Sequence, residues 1–165
     1  MTKMSKIYNQ TTKRVLAKLF LGDCLEVMQK IPDASVDLVL TDPPYGTTAC
    51  KWDSIIPLEP MWEQIKRITK PNSAIVLFGS QPFSSVLVSS NLGMYKCSWL
   101  WEKERPSNFF AAKFVPLNNL EDILVFSCGG TNNGTKNPMN YNPQGLIEID
   151  RVAKNSNTGG KIGKE

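Results

Sequence analysis

Histidine does not occur among the 165 residues, so a His-based catalytic triad has no base and the commonest zinc ligand is missing. Four cysteines, Cys24, Cys50, Cys97 and Cys128, lie far apart without a C-x-x-C pair. That spacing argues against a disulfide scaffold or a thiolate metal clip, no metal is expected, and free thiols suit a reducing cytoplasm. No run reaches the roughly eighteen apolar residues that a membrane-spanning helix needs. The segment from Met1 to Arg14 is polar and basic with no apolar stretch behind it, so it does not read as a secretory signal.

What remains is an ordinary globular composition. Hydrophobic residues make up 41% and charged residues 21% of the chain, enough for one domain with a true core and too little chain for two. Nineteen Lys and Arg against fifteen Asp and Glu leave a formal charge of +4, which fits contact with a phosphate backbone without requiring it.

The apolar pattern alternates between two periods. Lys18 to Leu21 reads as a short strand closed by Gly22-Asp23, and Leu25, Val27 and Met28 as a brief helix stopped by Pro32. Val36 to Leu40 is nearly all apolar, as expected of a parallel strand covered on both faces. Pro57 to Lys70 places Met61, Ile65 and Ile68 on one helical face. Ala74 to Phe78 reads as another strand, and Ser80 as the cap of a helix carrying Phe83, Val86 and Leu87. Lys96 to Glu102 and Glu121 to Ser127 read as two more strands, joined by a loop from Lys103 to Leu120. Strands alternating with helices predict an α/β fold with a mostly parallel sheet. From Gly129 onward Gly, Asn, Thr and Lys dominate and periodicity is lost, so residues 130–165 read as a flexible tail or as a recognition loop on nucleic acid.

The sharpest chemical feature is Asp42-Pro43-Pro44-Tyr45 at the carboxyl end of the Val36–Leu40 strand, the edge where open α/β sheets bind ligands. Two prolines fix φ and remove two N–H donors, leaving a stiff corner of carbonyl acceptors. Asp42 adds a carboxylate and Tyr45 an aromatic face. A carboxylate and a carbonyl that accept the two hydrogens of an exocyclic amine can free its lone pair to attack an electrophilic methyl group. The base would first have to leave the duplex and could then stack on Tyr45. No Pro-Cys pair, expected for attack on a pyrimidine ring carbon, is present.

Other segments carry weaker signals. Gly22-Asp23 should reach the same sheet edge, although Gly-Asp is also an ordinary turn. Trp52, in Lys51-Trp52-Asp53, could line a base pocket or simply cover the core. Lys103, Arg105 and Asn108 follow Trp101 at another strand end and suit nucleic-acid contact better than a solvated loop.

Taken together, these motifs resemble the permuted, beta-type DNA amino-methyltransferases, in which the catalytic tetrapeptide precedes the cofactor loop. The likeness rests on Gly22 to Met28, on Asp37 to Thr41 running into Asp42-Pro43-Pro44-Tyr45-Gly46, on Leu77 to Phe83, on Trp101-Glu102-Lys103 and on Asn119 to Phe126, in the family's order. It covers residues 18 to 129.

The resemblance implies a three-layer Rossmann-like sheet, mostly parallel with an antiparallel strand near the C-terminal end. It implies S-adenosylmethionine as cofactor and DNA as substrate. Asp42, Pro43, Pro44 and Tyr45 would hold the target base, with Asp42 also near the cofactor methyl, and Asp23 with Cys24 would meet the cofactor. An aspartate opening the tetrapeptide goes most often with adenine N6, whereas cytosine-N4 members usually carry Ser.

The family's order continues with a His-containing stretch and a Phe-x-Gly-x-Gly turn, neither of which occurs in these 165 residues. Residues 1–129 are therefore expected to be the catalytic half of an incomplete methyltransferase domain, working with a complementing C-terminal fragment or as a homodimer. The alternative is a non-catalytic DNA-binding remnant or subunit. Methylation of RNA or a protein amine ranks third, because such enzymes usually place their glycine loop before the tetrapeptide, and Met1 to Lys18 contains no glycine.

Overall fold

The structure, a computed structural model, describes residues 4–8, 15–107 and 109–145. Strands β1 (Met4–Tyr8) and β2 (Val15–Phe20) form an antiparallel pair of their own. The strand expected at Lys18 to Leu21 is thus present but lies outside the main sheet. It pairs with β1, which lies within the Met1 to Arg14 stretch that was read as polar and basic overall.

At Gly22 (φ 152°) the chain turns into helix α1 (Cys24–Met28). Asp23 caps that helix, its Oδ1 accepting from the Leu25 N–H at 2.7 Å, which satisfies one of the unpaired donors of the first turn. Arg67, near the end of helix α2 (Leu58–Ile68), ties the next stretch down. Its guanidinium donates to the carbonyls of Met28 (2.7 Å) and Ile31 (2.9 Å) and pairs with Asp33.

The main sheet contains β3 (Val36–Thr41), β4 (Thr69–Gly79), β5 (Tyr95–Ser107) and β6 (Asn118–Phe126), in the order β3-β4-β6-β5. Only β3 and β4 pair in parallel; β4–β6 and β6–β5 are antiparallel. The expectation of a mostly parallel sheet is therefore corrected: the sheet is mixed, and most of its ladders are antiparallel. The single reversed strand, β6, sits inside the sheet, so it contributes two antiparallel ladders where an edge position would contribute one.

One face of the sheet carries the core. Ile75 and Leu77 of β4 lie opposite Phe126 and Leu124 of β6, and all four are buried with Met61, Trp62 and Ile65 of α2. Helix α3 (Phe83–Ser90) adds Phe83 and Leu87, and Leu25 and Met28 of α1 pack on the same cluster. The Trp62 indole stacks at a tilt on Phe126 (4.8 Å) and donates to Ser90 Oγ at 2.8 Å.

Among the described residues no helix covers the opposite face, so the expected three layers reduce to two. Leu38 and Leu40 of β3 are 52% and 63% exposed there. The reading of β3 as a strand covered on both faces is corrected accordingly: β3 is an edge strand, and only Val39 packs against the core.

Three local expectations also shift. The cap of α3 is Pro82, and Ser80 contributes only its carbonyl, which accepts from the Ser84 N–H at 3.1 Å. Val86 is exposed, while Ser84 takes a buried position beside Phe83 and Leu87. Strand β5 continues to Ser107, so the connection to β6 is shorter than the span from Lys103 to Leu120. After β6 the chain is irregular but not detached. The Gly130 N–H donates to the Asn137 carbonyl at 2.8 Å, the Met139 N–H to the Gly130 carbonyl at 2.9 Å, and the Asn140 N–H to the Asn72 carbonyl at 2.8 Å.

Candidate active site at the carboxyl end of strand β3

Strand β3 ends at Thr41, and the two prolines that follow cannot extend its ladder. Pro43 is buried and anchors the corner, while Asp42 stays exposed. Among the described residues the Pro43 and Pro44 carbonyls accept no backbone hydrogen bond. In front of the corner lies an open cleft of about 280 Å³ lined by Asp42, Pro43, Pro44, Tyr45, Thr47, Thr48, Trp52 and Asp53. Trp52 is 74% exposed, so it belongs to the cleft and does not cover the core.

Tyr45 is held at both ends. Its ring stacks on Phe83 at 5.3 Å and 22°, so one face is occupied by the core. Its hydroxyl lies 2.5 Å from Asp42 Oδ1 and 2.9 Å from Glu121 Oε1. Burial, then the two carboxylates, push the phenol well above its ordinary value, so it remains a protonated donor at any physiological pH. Lys103 Nζ stands 3.2 Å from the other oxygen of Glu121. A continuous polar chain therefore runs from Asp42 through Tyr45 and Glu121 to Lys103.

The loop after the tetrapeptide is shaped by Asp53. The Gly46 N–H donates to its Oδ1 at 2.9 Å and the Thr48 N–H to its Oδ2 at 2.7 Å. These bonds, the one from Gly46 foremost, hold the Asp53 carboxyl down at about 2. Gly46 has φ +69°, and a Cβ there would lie 2.9 Å from Ile55 Cγ1, so both backbone and space call for glycine.

Of the residues picked from sequence, the structure gathers Asp42, Pro43, Pro44, Tyr45 and Trp52 around one cleft and links Lys103 to it through Glu121. Arg105 is exposed on the same strand as Lys103. Asn108 lies outside the described residues. Asp23 and Cys24 sit at the exposed start of α1, where burial and the neighbouring Asp23 carboxylate raise the Cys24 thiol. Glu121 was given no role from sequence, and Asp53 entered only as part of Lys51-Trp52-Asp53, the segment that could line a base pocket. The available signal was a carboxylate seven residues after Gly46 for Asp53 and the Glu121-Asp122 pair leading into the apolar run of β6 for Glu121.

The site thus lies at a strand's carboxyl end in an open, mixed α/β sheet. Among solved structures, the PvuII DNA methyltransferase (cytosine-N4-specific) shares the fold with a TM-score of 0.51 at 14% identity, covering 66% of this chain and 48% of that one. No protein-family model matches the chain.

Curated relatives give the particular kinship. The chain is 27% identical over 147 residues to the Type II methyltransferase M.HpaI of Haemophilus parainfluenzae, covering 82% of this chain and 42% of that protein. It is 41% identical over 70 residues to the Type II methyltransferase M.BglII of Bacillus subtilis, covering 38% of this chain and 19% of that protein. The chain is thus similar in sequence to Type II methyltransferases, and it spans less than half the length of each of the proteins it matches.

Proposed function

We propose that this chain is the catalytic half of an S-adenosylmethionine-dependent DNA methyltransferase that modifies the exocyclic amine of a flipped-out base, adenine N6. The observation carrying this reading is the corner itself: an exposed carboxylate beside proline carbonyls with no backbone donor, at the mouth of a cleft at a strand's carboxyl end. Asp42 accepts one amine hydrogen through the oxygen that Tyr45 leaves open, and the Pro43 carbonyl accepts the other. The nitrogen turns pyramidal and its lone pair becomes nucleophilic. Methyl transfer would form the N–C bond as the methyl–sulfur bond breaks with its electron pair left on the sulfur, and the amine would lose one proton to Asp42 or to water in the open cleft.

The cofactor, when bound, supplies a methyl group on a cationic sulfur. Asp42 fits that charge, since it is exposed and the hydroxyl it accepts from is a neutral phenol. Asp23 and Cys24 at the start of α1 would hold the adenosine part. Trp52, Lys103 and Arg105 would meet the DNA, and the irregular chain from residue 130 would begin the target-recognition region.

The uncovered sheet face and the free edge of β3 favour a further reading, that a second segment completes the domain. Leu38 and Leu40 present apolar surface beside a ladder that is unpaired among the described residues, which invites strand addition by a complementing chain or a second copy.

The test is methyl transfer to duplex DNA from labelled cofactor, by the chain alone and with a second chain carrying a glycine-turn segment, followed by nucleoside analysis. N6-methyladenine is expected, and N4-methylcytosine would reassign the base. Absence of transfer in both arms would overturn the proposal. In an arm with transfer, Asp42→Ala should lower the rate about 10²–10³-fold, as expected when a preorganised hydrogen-bond partner is removed.

A further inference from the structure

The Tyr45 hydroxyl has one proton and two carboxylate neighbours, Asp42 Oδ1 at 2.5 Å and Glu121 Oε1 at 2.9 Å. A phenol donates one hydrogen bond. While it points at one carboxylate, the other contact sets oxygen lone pairs against each other. The shorter distance falls in the range of a charge-assisted O–H···O⁻ bond and marks Asp42 as the acceptor at rest. One of its oxygens is then occupied. We propose that Glu121 is a positioning residue that competes with Asp42 for the Tyr45 proton, and so sets whether Asp42 keeps one oxygen or both free for the amine of the target base. The inference rests on the base-methylation reading given above.

Three features make such a competition possible. Tyr45 cannot swing away, because its ring is stacked on Phe83; only its O–H bond has to rotate. Glu121 is rooted in β6, paired across the ladder with Trp101, so it holds its place beside the hydroxyl. Lys103 engages the outer oxygen of Glu121 at 3.2 Å and leaves the inner one to face Tyr45. With the hydroxyl turned toward Glu121, Asp42 offers both oxygens to an arriving amine. With it turned toward Asp42, the empty cleft holds its carboxylate in a fixed pose.

The test is a mutant cycle with a readout that does not depend on catalysis. Glu121→Gln keeps the shape but can donate to the Tyr45 oxygen, fixing the phenolic proton on Asp42. Under the conditions that give transfer, kcat should fall about tenfold to hundredfold, the range for losing a hydrogen bond to a charged group, with KM changed less than about threefold. Glu121→Asp keeps the charge near Lys103 but draws the carboxylate back, and it should show the same direction of effect. In a Tyr45→Phe background, Glu121→Gln should change kcat by less than about threefold, because the contested proton is gone.

In parallel, the ¹³Cζ resonance of Tyr45 is followed against pH. In the wild-type chain it should move with pH, and Glu121→Gln and Asp42→Asn should each alter that response. Wild-type behaviour of both Glu121 variants would overturn the proposal. So would an equal kcat loss with and without the Tyr45 hydroxyl, or a Tyr45 resonance unaffected by Glu121→Gln. Should wild-type protein transfer no methyl group, the functional reading fails and the resonance alone decides the role of Glu121.

Discussion

The two faces of the main sheet are built from the same strands and share one alternation, yet they have opposite fates. On one face Ile75, Leu77, Leu124 and Phe126 are 0 to 4% exposed beneath α2 and α3. On the other, Leu38, Leu40, Trp99 and Trp101 are 50 to 63% exposed, and Trp101 forms a T-shaped ring pair with Phe78 at 6.0 Å. Sequence hydrophobicity does not separate the faces, since both carry large apolar side chains. The separation comes from which face the helices of residues 24–90 can reach. The covered face stabilises this chain; the uncovered one is apolar surface of the kind that marks an interface.

The largest effect that would expose this asymmetry is on the covered side. Leu77→Ala removes a fully buried side chain between two helices and should cost about 2–5 kcal/mol, read as a lower midpoint in urea unfolding. If the loss is below about 1 kcal/mol, the core face is looser than its burial indicates. A step smaller, Trp62→Phe deletes the indole donor to Ser90 Oγ and part of the packing on Phe126, and should cost about 1–2 kcal/mol. On the uncovered side Leu40→Ser should change stability by no more than about 0.5 kcal/mol. It should also reduce self-association in analytical ultracentrifugation. A destabilisation matching that of Leu77→Ala would show that the second face is covered after all.

The same contrast explains what could be read from residues alone. The α2 stripe at Met61, Ile65 and Ile68 and the strands around Ile75 and Leu124 were legible because their periods match their burial. The tetrapeptide corner was legible because prolines and a carboxylate at a strand end restrict the chain chemically. Sheet direction was not legible: whether β6 lies at an edge or inside the sheet depends on contacts distant in sequence. Val36 to Leu40 misled because apolar residues announce burial in some assembly, not in this chain. Strand β1 was hidden because its Met4, Ile7 and Tyr8 sit within a stretch that is polar and basic overall, and a ladder needs only backbone groups. Glu121 went unassigned because a residue gains its role here from a tyrosine 76 positions away.

The smallest effect is expected where β3 leaves both faces behind and the chain is held by polar bonds. Asp53 accepts from the Gly46 and Thr48 amides, and its folded value of about 2 lies below the roughly 3.9 of an unfolded aspartate. A carboxyl depressed on folding contributes its stabilisation fully above the unfolded value and loses it as pH falls through the folded one. The Gly46 and Thr48 amide resonances should therefore hold steady above about pH 4 and shift with a midpoint near 2. In Asp53→Asn that titration should vanish, and the cleft loop should exchange its amide hydrogens faster at neutral pH. A midpoint near 4 in the wild-type chain would mean that the loop does not grip Asp53, and that the cleft wall beside Asp42 is set by the proline corner alone.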